Sequence, residues 1–202
     1  MKVNPSRLAI LLLAAGQGSR LGNIPKALLK KEGIPLIQRF WQEVFPLNAI
    51  ESISVFGFYA VQIKPLAEQY SQVVINQQAN QGHGSSVRLG LESLHAPFDL
   101  LVIALVDQPR ITQTSLELLI NALEGQGDEI DALVPLCQGQ RGNPIVVRHS
   151  AVLEMLNTPA QTPRQWLDQH PKRVCFYETQ QDAFIADVDT LDDIKREGLE
   201  LI

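Results

Sequence analysis

The stretch Leu8-Ala9-Ile10-Leu11-Leu12-Leu13-Ala14-Ala15-Gly16-Gln17-Gly18-Ser19-Arg20-Leu21-Gly22 decides how this chain is read. Lys2 and Arg7 precede an apolar octet that ends in Ala-Ala-Gly, which is the outline of a secretory leader. The same letters describe a strand that is apolar on both alternations and runs into a glycine turn able to cradle phosphate. What the rest of the chain supplies to such a turn separates the two readings.

The chain has 202 residues, 45% of them hydrophobic and 19% charged, which is enough for one full core. No linker-like, repeated or low-complexity stretch divides it, so a single domain over 1–202 is expected. A net charge of -5 disfavours a protein that coats nucleic acid or an anionic membrane, whereas a small anionic ligand needs only a few local cations. Cys137 and Cys175 lack CxxC spacing and a matched histidine pair, so neither a zinc site nor a disulfide framework is indicated. Sparse cysteine suits a reducing compartment, and no apolar run approaches the roughly 18 residues that span a bilayer. A cytoplasmic protein is the expectation.

Short blocks rich in Val, Ile and Leu recur at 8–15, 52–58, 73–76, 100–106, 132–135, 144–147 and 183–188, and each reads as a strand. Between them, 36–45, 61–69, 85–94, 113–123, 150–156 and 190–199 place apolar residues three or four apart, the helical period. Alternating strand and helix predicts an α/β three-layer sandwich with a mostly parallel, Rossmann-like sheet. Ligands of such sheets sit beyond the carboxyl ends of the strands, where strand order reverses. The residues that follow each strand are therefore the candidates for chemistry.

After the first strand, Ala14 to Gly22 bring glycines for a sharp turn, the Ser19 hydroxyl and the Arg20 guanidinium fork, a set suited to a polyphosphate. The loop lacks the Gly-Lys-Ser/Thr of a Walker A turn and misses the dinucleotide spacing by one residue. Lys26, stiffened by Pro25, can reach back over the loop to neutralise phosphate oxygens. Asp107 ends the fourth block; a carboxylate at the tip of a buried strand needs a cation, and magnesium is the natural one. Thr112 or Thr114 caps the next helix, so Asp107 is not needed as a cap. In Gly82-His83-Gly84-Ser85-Ser86 the serines are expected to cap a helix whose N-terminus faces the site, with base or ribose contact also open. Arg141-Gly142-Asn143-Pro144 opens another strand and reads equally as a plain turn, while Arg164 is a solvated arginine or one brought to an anionic acceptor. In the run from Ala186 to Asp193, Thr190 and Asp193 suit a capping box, leaving either Asp187 or Asp189 to complete a magnesium site with Asp107.

Taken in order, "LLLAAGQGSRLG", "NQGHGSSVRLGL", "LVDQP", "RGNPIVV", "TPRQWL" and "DVDTLDDI" resemble the MobA-like nucleotidyltransferases of molybdenum cofactor maturation, with the cytidylyltransferase branch nearest. The resemblance runs from about Leu8 to Ile194 and implies the nucleotide-diphospho-sugar transferase type of fold. It implies a magnesium-dependent enzyme that moves CMP from CTP to the terminal phosphate of molybdopterin and releases pyrophosphate. On that footing Ala14, Ala15, Gly16, Gly18, Ser19, Arg20, Lys26, Gly82, Ser85 and Ser86 hold nucleotide. Gly142, Asn143, Pro144 and Arg164 meet the acceptor, Asp107 and Asp187 hold Mg2+ with Asp189 as the alternative, and Arg20, Lys26 and Asp107 carry catalysis. A molybdoenzyme or its chaperone is the implied downstream partner. Departures are Ile24-Pro25 before the lysine and Leu191 where proline is usual. A sugar- or alditol-phosphate nucleotidyltransferase and a catalytically idle binding relative remain open beside it.

Overall fold

The computed structural model describes residues 6–158 and 162–201. Lys2, the first charge of the leader-like outline, lies outside them. Leu8–Ala14 forms β1, and every one of its residues is buried. It is followed by a short antiparallel pair, β2 (Lys30–Lys31) and β3 (Ile34–Pro35), and then by β4 (Glu51–Phe56), β5 (Gln72–Ile75) and β6 (Leu100–Leu105). The chain continues through β7 (Ala132–Cys137), β8 (Gln140–Arg141), β9 (Ile145–Arg148) and β10 (Val174–Thr179), and ends with β11 (Leu199–Glu200). The main sheet runs β10-β7-β9-β6-β1-β4-β5, with β8 paired to β7. β5, β4, β1 and β6 are parallel; β9 lies antiparallel between β6 and β7, and β10 is parallel to β7. The sheet is thus mostly parallel, as its doubly apolar strands predict.

Helices cover both faces. α1 (Leu36–Val44), α2 (Ala60–Ala67) and α4 (Gln113–Glu124) share a core with Leu8, Ile10, Leu12 and Ala14 of β1. On the other face α3 (His83–Glu92), α5 (His149–Asn157) and α6 (Pro163–Gln169) pack with Ala9, Leu11 and Leu13. Period-2 alternation in one strand therefore feeds two separate cores, and the architecture is the expected three-layer α/β sandwich. A third, small core gathers Leu21, Leu29, Leu36, Val188, Ile194 and Leu199 under α7 (Leu191–Arg196) and the sheet β11-β2-β3. Among the described residues no helix is long and apolar enough to cross a membrane.

Three expectations are corrected. The block 183–188 is not a strand: Asp182–Ile185 is a 3-10 turn and the chain then runs extended to Val188. Both edges of β6 are already taken, by β1 and β9, so this segment crosses the strand ends instead of joining the sheet. Ser85 and Ser86 do not cap α3, which starts two residues earlier at His83 with Gly82 as its N-cap. Val174–Thr179 is a strand and Pro163–Gln169 a helix that the apolar blocks do not announce. Beyond the buried Val174 the strand alternates half-buried and exposed residues at the sheet edge, and the helix is marked mainly by a capping box between Thr162 and Gln165. Thr112 and Thr190 cap α4 and α7 as read.

Leu12 is fully buried at the centre of the molecule. Replacing it with alanine is expected to lower the unfolding free energy by about 2–5 kcal/mol, measured by urea denaturation. A negligible loss would mean that β1 is not the strand on which the domain is built.

Candidate active site at the switch point of the sheet

The chain passes from β1 to β4 and β5 on one side and returns to β6 on the other, so strand order reverses between β1 and β6. Leu13 pairs with Leu105 there, and the two loops that follow open into one cleft of about 770 Å3. This is the crevice where parallel α/β sheets bind ligands. Ala14, Ala15, Gly16, Gly18, Ser19, Arg20, Lys26, Gly82, His83, Ser86, Asp107 and Asp189 all line it.

The first loop is folded back on itself. The Gly18 carbonyl accepts the Leu21 and Asn23 N–H groups at 2.9 and 3.0 Å, and Gly18 itself is left-handed at φ 67°. A Cβ there would lie 2.1 Å from the Ile24 carbonyl oxygen, so only glycine allows the doubling. Tyr59 clasps the outside: its hydroxyl donates towards the Asn23 carbonyl at 2.5 Å and the Gln17 carbonyl at 3.2 Å. That Tyr59 holds a left-handed φ of 63° marks it as a constrained position, and it also lines the cleft. Sequence reasoning missed it because a lone tyrosine after a strand carries no phosphate- or metal-binding signature; its left-handed backbone and its bonds to the loop appear only in the fold.

At the floor, Lys26 Nζ donates to Asp107 Oδ2 at 2.8 Å and to Asp189 Oδ1 at 2.7 Å. Arg20 bonds the other Asp189 oxygen at 2.9 Å. Burial alone would lower the Lys26 pKa, but Asp107 and Asp189 outweigh it and hold the ammonium above its ordinary value. The Lys26 hydrogen bond likewise holds Asp189 below the usual carboxylate range, against a weaker effect of burial. Asp187 behaves oppositely. Burial first, then the Asp107 charge, raises it, and the Gln108 hydrogen bond opposes them. His83 is lowered by burial, with Asp107 pulling the other way.

A buried carboxylate whose ionisation is opposed by a neighbouring carboxylate charge, as Asp187 is by Asp107, is a place for a cation. Among the described residues there is no cluster of three or more His, Cys, Asp or Glu side chains able to hold a metal. Asp107 with Asp187 accordingly fits a hard divalent ion that takes one or two carboxylates and completes its shell with water and substrate phosphate. A closed protein-only metal centre would not fit.

The remaining candidates surround this floor. Ser85 and Ser86 both accept from Asn76 Nδ2 at 2.9 Å, and Ser85 Oγ donates to the Gly82 and Gln78 carbonyls, so the serines brace the α3 entry. Gly142 and Asn143 pack on the turn before Asp187: Asn143 N–H donates to the Phe184 carbonyl at 2.9 Å. A Cβ on Gly142 would lie 2.4 Å from that oxygen. Pro144 follows through a cis peptide bond and is buried. Arg164 is exposed in the first turn of α6, whose cap Thr162 lies 2.9 Å from where a Cβ on Gly84 would stand. The structure therefore brings Ala14 to Arg20, Lys26, Gly82, Ser86 and Asp107 together in the cleft, whereas Ser85, Gly142, Asn143, Pro144, Arg164 and Asp187 are not among the residues that line it.

Asp193 accepts the Asp189 and Thr190 N–H groups at 2.9 and 2.7 Å and so fixes the Asp189 backbone. Burial raises this carboxyl, yet the hydrogen bonds and Arg196 outweigh it and hold it at about 2. A carboxyl lowered on folding stabilises the fold above its unfolded value of about 4 and loses that contribution as pH falls towards its folded value. The urea midpoint is thus expected to fall between pH 4 and 2 more steeply for the parent than for Asp193→Asn. Parallel curves would remove Asp193 from this role.

Comparison with known proteins agrees with the cleft. The MobA-like NTP transferase domain model matches residues 10–174, from β1 past the β6 exit to the start of β10. The chain is 32% identical over 197 residues to nicotine blue oxidoreductase of Paenarthrobacter nicotinovorans, covering 92% of this chain and 94% of that protein. It is 28% identical over 168 residues to the probable molybdenum cofactor guanylyltransferase of Bacillus cereus (strain G9842), covering 81% and 79%. Among solved structures, Rv0371C of Mycobacterium tuberculosis H37Rv in complex with manganese shares the fold at a TM-score of 0.71 and 20% identity, covering 95% of this chain and 98% of that one. With its glycine loop, β6 exit and acceptor-side loop all inside one family match, the chain belongs to the MobA-like NTP transferase family and is a nucleotidyltransferase.

Proposed function

We propose that the chain works as one nucleotidyltransferase domain that transfers CMP from CTP to the terminal phosphate of molybdopterin, with Mg2+ and release of pyrophosphate. The observation that carries the reading is the pairing of Lys26 with Asp107 and Asp189 at the floor of the cleft. Cation and carboxylates alternate there beneath a glycine loop, an arrangement for holding a triphosphate and a divalent ion, with no activated nucleophile in place. The choice of CTP and of molybdopterin follows the motif resemblance.

In this mechanism the first loop, from Ala14 to Arg20, receives the triphosphate, and Arg20 and Lys26 neutralise its β- and γ-phosphate oxygens. Gly82, Ser85 and Ser86 border the nucleoside. Asp107 and Asp187 would hold Mg2+, which supplies charge neutralisation at the reacting phosphate oxygens. Gly142 to Pro144 and Arg164 orient the acceptor so that its phosphate oxygen lies in line with the α-phosphorus. A new oxygen–phosphorus bond then forms as the bond to the bridging oxygen breaks, and pyrophosphate leaves with the electron pair. Lys26 stands where charge builds on that leaving group.

A panel of CTP, GTP, ATP and UTP against molybdopterin and sugar or alditol phosphates, scored by pyrophosphate release with magnesium and with chelator, tests the proposal. CTP with molybdopterin is expected to lead, and chelation to stop turnover. Turnover of CTP only with a sugar phosphate would reassign the acceptor. One further arm pairs a reduced nicotinamide cofactor with an aromatic acceptor; oxidation there without pyrophosphate would align the chain with its oxidoreductase relative. Asp107→Ala is expected to lower turnover by about 100-fold or more, as loss of a charge-stabilising group does. An unchanged rate would remove Asp107 from the site.

A further inference from the structure

The four residues that leave β6, Asp107-Gln108-Pro109-Arg110, grip the segment 182–189 at successive points. The Asp107 carbonyl accepts the Val188 N–H at 3.0 Å. Arg110 bonds Asp182 at 2.8 Å and both oxygens of the buried Glu197 at 2.7 and 2.8 Å. Between these two anchors lies Gln108, which is 4% exposed. Its amide nitrogen donates to the Phe184 carbonyl and to Asp187 Oδ1, each at 2.9 Å.

Both partners are acceptors, so the amide has one workable orientation; turned over, its oxygen would face two oxygens. In that orientation Gln108 Oε1 is buried with no partner among the described residues. A side chain kept only for packing has no reason to carry an orphaned polar atom, since a methionine or leucine would fill the volume without one. The Phe184 carbonyl is also the acceptor for the Asn143 N–H and the atom against which Gly142 is pressed. One amide therefore joins the turn that seats the acceptor-side loop to the carboxylate facing Asp107.

We propose that Gln108 is a positioning residue: it aims the Asp187 carboxylate at the divalent-cation site and ties it to the acceptor-side loop Gly142–Pro144. The inference rests on the nucleotidyl-transfer reading above. Through Gln108 the acceptor loop and the cation-binding carboxylate keep one relative geometry, which in-line attack requires.

The test uses the full chain with Gln108→Met and Gln108→Leu, both of which remove the donors while filling the volume. Mn2+ binding in the presence of CTP is read by electron paramagnetic resonance, independently of turnover. Mn2+ affinity is expected to fall about 10- to 100-fold, as with other groups that orient a metal-binding carboxylate. The kcat should fall with it, while KM for CTP, which the first loop receives, stays unchanged at saturating Mn2+. If Gln108→Met does not fold, as judged by thermal melting, Gln108→Leu decides. A folded variant with the parent's Mn2+ affinity and kcat would overturn the assignment of Gln108 alone. A parent that neither binds Mn2+ with CTP nor releases pyrophosphate would instead bring down the transfer reading on which it rests.

Discussion

One ammonium group makes this cleft possible. Asp107, Asp187 and Asp189 converge beyond the same strand ends, where burial and the charges of Asp107 and Asp189 oppose the ionisation of Asp187. Lys26 stands between Asp107 and Asp189, and its two hydrogen bonds leave Asp189 readily ionised while Asp187, supported by an amide instead, is raised. Remove the lysine and the segments after β1, after β6 and before α7 lose the charge that draws them together. The same ammonium that closes the floor in the free protein is the one the mechanism directs at phosphate, so structural and chemical demands meet in a single side chain.

Rigidity around that floor comes from small apolar contacts. Leu21 ends the phosphate loop, Val188 sits between two of the carboxylates, and both enter the third core with Leu29, Leu36, Ile194 and Leu199. Side chains at either end of the cleft are thereby fastened to one packed unit. Packed cores resist continuous deformation, which suits groups that have to be held to within fractions of an ångström. Asp193 adds a polar fastening at the same place by taking the Asp189 N–H.

Much of this was legible because strand-end chemistry is local in sequence. β1 reads directly from its unbroken apolar run, and the loop behind it from its glycines; Asp107 stands out as a lone charge at the end of such a run. Thr190 and Asp193 declare a helix start three residues apart. Other features depend on distant partners and leave little trace. Whether 183–188 could be a strand depended on whether an edge of β6 was free, and β9 had taken it. The serines after Gly82 look like caps until Asn76, far back along the chain, claims both hydroxyls. Gln108 looks like a spacer between Asp107 and Pro109, and its role exists only once Phe184 and Asp187 arrive beside it. Tyr59 follows a strand end on either boundary, yet its role exists only through its bonds to the Gln17 and Asn23 carbonyls.

The antiparallel strand β9 has a wider consequence. By inserting itself between β6 and β7 it divides the sheet into an all-parallel half, β5-β4-β1-β6, and an outer half, β7 with β10 and the β8 hairpin. Gly142 to Pro144, which lead into β9, are joined to the segment after β6 through one turn at Phe184, whose carbonyl accepts from both the Asn143 N–H and the Gln108 amide. Such a frame is modular. A change in the outer loops need not disturb the turn after β1, because Leu21 is fastened into a separate small core of its own.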